Sequence, residues 1–132
     1  MFKLSIRTGR FAVMAVLIAS GAWAHADTLS SIRERGEFLL GHRESSSPFS
    51  FINEKGEAVG YSVDICLKLF EQIKSELKRQ DLKVKYVPLK PADRIAAVKD
   101  GRVDVECGST TNTVERQKDV AFSYTTFMAG AR

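Results

Sequence analysis

Residues 103–112, Val103-Asp104-Val105-Glu106-Cys107-Gly108-Ser109-Thr110-Thr111-Asn112, run from an alternating apolar strand into a turn rich in hydroxyls and on to a helix start. Val103 to Glu106 reads as the strand and Asn112 to Lys118 as a short helix. Strand, loop and helix in that order form the repeating unit of an α/β domain, and the same order recurs upstream. Glu37-Phe38-Leu39-Leu40-Gly41 is a short apolar strand, entered from a short helix over 28–35 that Gly36 stops. Residues 82–87 (LKVKYV) are a second strand. It leads through Pro91, placed where a first helical turn tolerates proline, into a helix with Ile95, Ala96 and Val98 on its buried side, ended by Gly101.

Between the first two strands lie a hairpin and a long helix. Residues 49–52 and 58–61 flank the turn signal Asn53-Glu54-Lys55-Gly56. Ser62 is placed to cap the helix that follows. On that helix Cys66, Leu69, Phe70, Ile73 and Leu77 share one face of a 3.6-residue period, while Lys68, Glu71, Lys74 and Lys78 face water. Residues 127–131 begin a fourth strand, in which the chain stops. Strands separated by helices require right-handed crossovers, so the fold class is α/β, a mostly parallel sheet with helices on both faces.

The first 26 of the 132 residues have another purpose. Lys3, Arg7 and Arg10 precede the apolar run FAVMAVLIA, and Ala24-His25-Ala26 places small residues where a signal peptidase cuts. Residues 1–26 are therefore expected to be a signal peptide, and 27–132 one domain. A short membrane anchor is the alternative, disfavoured because Ser20-Gly21-Ala22 interrupts the run. Arg7 and Arg10 are not adjacent, which fits the general secretory route, and no Cys follows the cleavage site for lipid attachment. The expected location is periplasmic. Cleavage would lower the formal charge from +4 to +1, removing the electrostatic case for nucleic acid or an acidic membrane.

In an open α/β sheet, ligands sit outside the carboxyl ends of the strands. The first strand runs out into Gly41-His42-Arg43-Glu44-Ser45-Ser46, the second leads to Arg94, and the third to Ser109, Thr110 and Thr111. Asn112 and Glu115 have the spacing of a capping box, which would turn a helix start towards the same rim, with Arg116 one turn further in. Guanidiniums, hydroxyls and free backbone N–H groups together describe a carboxylate trap. The plainer alternatives are solvated surface arginines, a helix cap at 109–111, and pairing of Arg116 with Glu115 or Asp119.

Enzymatic chemistry has little support. His42 is the one histidine outside the signal segment, and no nucleophile–base set can be assembled around it. The two cysteines and His42 do not cluster as metal ligands, and the glycines form no phosphate loop. No cofactor and no metal are expected. Asp64, Asp104 and Glu106 stand as single carboxylates.

Four segments carry a family resemblance. They are His42-Arg43-Glu44-Ser45-Ser46 with Pro48-Phe49-Ser50, then Gly60-Tyr61-Ser62-Val63-Asp64, then Glu106-Cys107-Gly108-Ser109-Thr110-Thr111-Asn112, and Val114-Glu115-Arg116-Gln117. In this order they resemble the periplasmic solute-binding proteins of polar amino-acid ABC transporters, above all the glutamate/aspartate-binding branch. The resemblance implies the first lobe of a type II periplasmic-binding-protein (Venus-flytrap) fold, truncated in the first hinge strand. It also implies a monomer that binds an acidic amino acid and delivers it to an inner-membrane ABC permease. Carried over residue by residue, Arg116 and Thr111 would hold the α-carboxylate and the Ser109 carbonyl would meet the α-amino group. Arg43 and Arg94 would bind the side-chain carboxylate. A dehydratase-type enzyme, a receptor sensor lobe and a non-functional lobe are the alternatives on the same scaffold.

One position departs from that branch. A small hydroxyl residue stands there three positions before the arginine that Arg94 matches, and here it is Pro91, at a cost of about 0.5–1.5 kcal/mol in one lost hydrogen bond. For the cysteines, export permits a mutual bridge, which needs Cα atoms within about 7 Å and which the sequence leaves open. The preferred reading has Cys66 as a small core residue and Cys107 as a partner for a cysteine in the part of the family protein that this chain lacks.

Overall fold

The computed structural model describes residues 27–130; the signal peptide expected over 1–26 lies outside the described residues. Helix α1 (Thr28–Arg35) ends where Gly36 takes a left-handed conformation, φ 74°, and returns its N–H to the Ile32 carbonyl. Strand β1 (Glu37–His42) follows. Three short strands, β2 (Ser45–Ser46), β3 (Ser50–Ile52) and β4 (Ala58–Val59), make a small antiparallel sheet in the order β2-β3-β4. Helix α2 (Tyr61–Leu77), strand β5 (Lys83–Pro88), helix α3 (Arg94–Lys99) and strand β6 (Val105–Cys107) complete the regular structure, followed by a 3₁₀ turn at Arg116–Lys118.

Strands β5, β1 and β6 lie side by side in that order, and both pairings are parallel. Successive β1 residues point to opposite faces. Phe38 and Leu40 enter a cluster with Ile32 of α1, Cys66, Phe70 and Ile73 of α2, and Leu82. Leu39 faces the other way, against Leu89, Ala97 and Val103. Helices thus cover both faces, α1 and α2 on one and α3 on the other. Gly41 lies where this second cluster meets the backbone. A Cβ there would come 2.6 Å from Leu89 Cδ1 and 3.1 Å from the Val105 carbonyl, so a larger residue would have to displace Leu89 from its packing on β1.

Several expectations change in detail. Leu69 is 44% exposed, because α2 presents Val63, Cys66, Phe70 and Ile73 to the core and leaves Leu69 at its flank. Ser62 does not cap α2; Gly60 occupies the N-cap position, and Ser62 Oγ donates instead to the Gly108 carbonyl at 2.8 Å. The helix expected over 112–118 contracts to one 3₁₀ turn. The capping box is not formed: Asn112 Oδ1 accepts from Gln117 Nε2, and the Arg116 N–H meets the Thr113 hydroxyl. Residues 127–130 form no strand. Phe127 packs on Phe49, ring centres 4.9 Å apart, and the Thr126 carbonyl accepts from Tyr61 Oη at 2.7 Å, which draws this segment to the small sheet's side.

Cys66 lies in the core as expected, but Cys107 takes the open alternative and not a partner elsewhere. Cys66 and Cys107 are joined to each other, with Cα atoms 6.3 Å apart. Cys66 lies on the sheet-facing side of α2, and Cys107 ends β6 directly beneath it with 2% exposure. The separation falls inside the range a disulfide needs. Among the described residues no helix is long and apolar enough to cross a membrane.

Candidate functional site

The residues after β1, after β5 and after β6 converge at the carboxyl end of the parallel sheet. Arg43 follows β1 directly. Its backbone is clamped by fully buried Ser50, whose hydroxyl accepts the Arg43 N–H at 2.9 Å and donates to the Arg43 carbonyl at 3.3 Å. The side chain is buried as well, and its Nε makes no hydrogen bond. Arg94 opens α3 and is half-buried. Burial lowers its guanidinium below the ordinary value, and the charges of Arg116 and Arg43 add to that while Glu106 opposes it.

Two adjoining clefts meet at this rim, the first running back along β6 from Gly108 to Asp104. One, of about 260 Å³, is lined by Arg94, Glu106 and Thr110 together with apolar groups of α2 and α3. The other, of about 460 Å³, is lined by Ser109, Thr111 and the aromatic rings of Phe49, Tyr124 and Phe127. Ser62, Gly108, Thr110 and Ser123 belong to both. Of the expected site residues, Arg94 therefore faces the first cleft, Ser109 and Thr111 face the second, and Arg43 lies buried beside Gly108. Arg116 lines neither. Its Nη1 donates to the Thr111 carbonyl at 2.8 Å, which ties the hydroxyl-rich loop to the 3₁₀ turn. The anion-favouring helix start expected beside it is absent from the described residues, since one turn has little aligned dipole.

Among the described residues, none of the three guanidiniums forms an ion pair with a carboxylate; the five ion pairs present involve other residues. An arginine rim without acid partners is equipped to hold a carboxylate through paired N–H donors. Sequence reasoning missed two participants. Ser62, read as a cap, binds the Gly108 carbonyl in the wall that both clefts share. Glu106, read as an isolated acid, lies among the arginines. Burial raises its carboxyl above the ordinary value, while Thr110 and then Arg94, Arg43 and Arg116 pull it the other way. The strand period does give the signal for Glu106, because it lies two residues after Asp104 and one before the loop. Among the described residues no group of three or more His, Cys, Asp or Glu side chains could hold a metal ion.

The family model for bacterial extracellular solute-binding proteins, family 3, matches residues 38–132. The chain is 40% identical over 136 residues to a glutamate/aspartate import solute-binding protein of Escherichia coli (strain K12), covering 98% of this chain and 45% of that one. It is 45% identical over 124 residues to an L-glutamate/L-aspartate-binding protein of Pseudomonas aeruginosa, covering 92% and 41%. The chain thus spans less than half the length of these relatives. Among solved structures it resembles a mutant of ArgBP from T. maritima, with TM-score 0.67 and 29% identity over 76% of this chain and 41% of that one. It also resembles the arginine-bound form of domain 1 from TmArgBP, with TM-score 0.56 and 32% identity over 70% and 68%. A third likeness is to an ancestral cyclohexadienyl dehydratase, with TM-score 0.57 and 29% identity over 74% and 38%.

Proposed function

The chain belongs to the bacterial extracellular solute-binding proteins of family 3, and on that footing we propose that it holds an acidic amino acid, L-glutamate or L-aspartate, for delivery to an ABC importer. The described residues have the fold of a first lobe of a type II periplasmic binding protein. In this reading residues 27–132 are that lobe, residues 1–26 direct export to the periplasm, and the protein acts as a monomer that meets an inner-membrane permease. The observation that carries the reading is the set of arginines without acid partners at the carboxyl end of the sheet.

Two carboxylates of one ligand divide between them. Arg116 and Thr111 take the α-carboxylate, and Arg116 can do so while keeping its Thr111 carbonyl bond because a guanidinium carries five N–H donors. Ser109 meets the α-ammonium through its carbonyl. Arg43 and Arg94 take the side-chain carboxylate, the contact that separates glutamate and aspartate from neutral amino acids. Support comes from the two relatives whose names specify these ligands. Support also comes from domain 1 of TmArgBP, a solved single lobe in its arginine-bound form.

The test is calorimetric titration of the purified chain with L-glutamate, L-aspartate, L-glutamine and L-lysine. Binding confined to the two acidic amino acids is expected; an equal response to all four would remove the assigned selectivity. The likeness to an ancestral dehydratase favours a second reading, an enzyme acting on a small carboxylic acid. Incubation with a prephenate-like acid decides it, since a new chromophore would replace the transport reading. A shared fold alone does not make an enzyme.

A further inference from the structure

The carboxyl group of Glu106 forms part of the wall of the first cleft, and the roles assigned above leave it without a task. Its Oε1 is shielded from solvent and has no hydrogen-bond partner; Arg43 Nε and Thr110 Oγ1 share that condition. The side chains of Glu106 and Arg43 cross over the same glycine. A Cβ on Gly108 would lie 2.3 Å from Glu106 Oε1 and 3.0 Å from Arg43 Cγ, so the absence of a side chain there is what lets the two approach. Arg94 reaches the same cleft from α3. Glu106 is thus the acid set among three arginines, near enough to act on them and outside ion-pair contact with any.

We propose that Glu106 is the internal counterion of the arginine rim, a specificity-determining residue that weakens the binding of each anion in proportion to that anion's charge. The proposal rests on the carboxylate-binding reading of the rim. Like charges gathered without a counterion repel one another and attract any anion, a small inorganic dianion most of all. One fixed negative charge lowers the net positive potential of the rim, at a desolvation cost to the carboxylate that exceeds its attraction to the arginines. It penalises sulfate twice as heavily as singly charged glutamate and leaves zwitterionic glutamine nearly untouched. Selection among anions then depends on the geometry of the paired N–H donors rather than on charge alone.

The charge is also sensitive to pH. Burial raises the carboxyl above its ordinary value of 4.5, so it regains a proton on the acid side sooner than a solvated glutamate. The cationic groups nearest it are Arg94 in the same cleft and Arg43 across Gly108, with Arg116 acting from outside the cleft. Asp104, in the same cleft, is committed to Arg35 and the Leu39 N–H. From α2 and from residues 120–126 the cleft receives no titrating side chain, Cys66 being in the disulfide.

The test compares the full chain with Glu106→Gln, a substitution of the same shape. By calorimetry the variant should bind L-glutamate about five-fold tighter, sulfate tighter by a larger factor, and L-glutamine within about two-fold of the original. A change equal for all three, or none, overturns the proposal. A second readout needs no ligand. Because the folded form holds the Glu106 proton more tightly than the unfolded chain does, the original protein loses stability as pH rises from 4.5 through the raised value. The Gln variant does not, so its advantage in melting temperature should open across that window and then stay constant. A gap independent of pH would also overturn the proposal. If the original binds neither acidic amino acid, yet the pH window is present and sulfate still gains in the variant, the ligand reading falls and the counterion stands.

Discussion

The two ends of the parallel sheet treat their charges in opposite ways. At the amino end, Arg35, which precedes β1, pairs with Asp104, which precedes β6, and Asp104 also accepts the Leu39 N–H. Arg79 and Asp81, before β5, form two hydrogen bonds of 2.7 Å, and Arg79 reaches the Arg33 carbonyl as well. At the carboxyl end, Arg43, Arg94 and Arg116 have no carboxylate in ion-pair contact. Arginines at the amino end are satisfied by acids within the fold, whereas those at the opposite end have no acid partner among the described residues. The same residue type in one lobe thus differs in its partners according to which end of a strand it follows, and the proposed recognition falls to the unpaired set.

The largest effect that could break this contrast belongs to Arg116. Arg116→Ala should weaken L-glutamate binding about a thousand-fold, ~4 kcal/mol, while stability changes by less than about 1 kcal/mol. Calorimetry paired with thermal melting measures both, and intact binding would erase the division. Next comes the covalent tie between α2 and β6. Replacing Cys66 and Cys107 by Ala opens a loop whose ends are 41 residues apart and should cost about 4 kcal/mol in a urea titration. An unchanged midpoint would show that the core alone holds α2 to the rim.

Arg35→Ala sharpens the contrast from the other side. Asp104 is 6% exposed at its side chain and would keep only the Leu39 N–H, so stability should fall by about 2 kcal/mol. Ligand affinity should hold within about two-fold. Equal losses of affinity and stability would mean that the two ends are not separate. The smallest effect is expected at Asp81, where the Arg79 hydrogen bond holds the carboxyl at about 2. An acid lowered in the folded state adds stability that is complete above the unfolded value of 3.8 and is lost as pH falls towards 2. Asp81→Asn should therefore flatten the acid limb of the melting curve between those values, its small deficit being complete at pH 7 and vanishing towards pH 2. An identical acid limb would show that this exposed pair adds nothing.

Much of the fold was legible because local rules and tertiary outcome agree. Gly36 ends α1 with its left-handed turn, and Phe38 and Leu40 alternate with Leu39 as a strand buried on two faces requires. The arginines and hydroxyls of the rim followed from counting which loops leave the carboxyl ends of parallel strands. Reading failed where a side chain was claimed by something distant in sequence. Ser62 looks like a cap until the Gly108 carbonyl, 46 residues on, takes its hydroxyl. Cys66 fits a helix's apolar face equally well as a thiol or as half of a bridge, and only the placement of β6 decides. Glu106 can be placed by the strand period, but its charged neighbours Arg43, Arg94 and Arg116 are distant in sequence and leave no local pattern. Residues 127–130 look strand-like in composition, but Phe127 finds two aromatic rings before it finds a sheet edge.

The bridge between Cys66 and Cys107 makes the lobe's stability a property of where it is. In a reducing cytoplasm the two sulfurs are thiols, and α2 is held to the rim loop by packing and the Ser62–Gly108 hydrogen bond alone. In an oxidising compartment the same chain closes a covalent loop that pins the rim loop to the helix beneath it. On the export route proposed above, the bridge would close only on the far side of the membrane, so that the crossing would work as a latch in one direction.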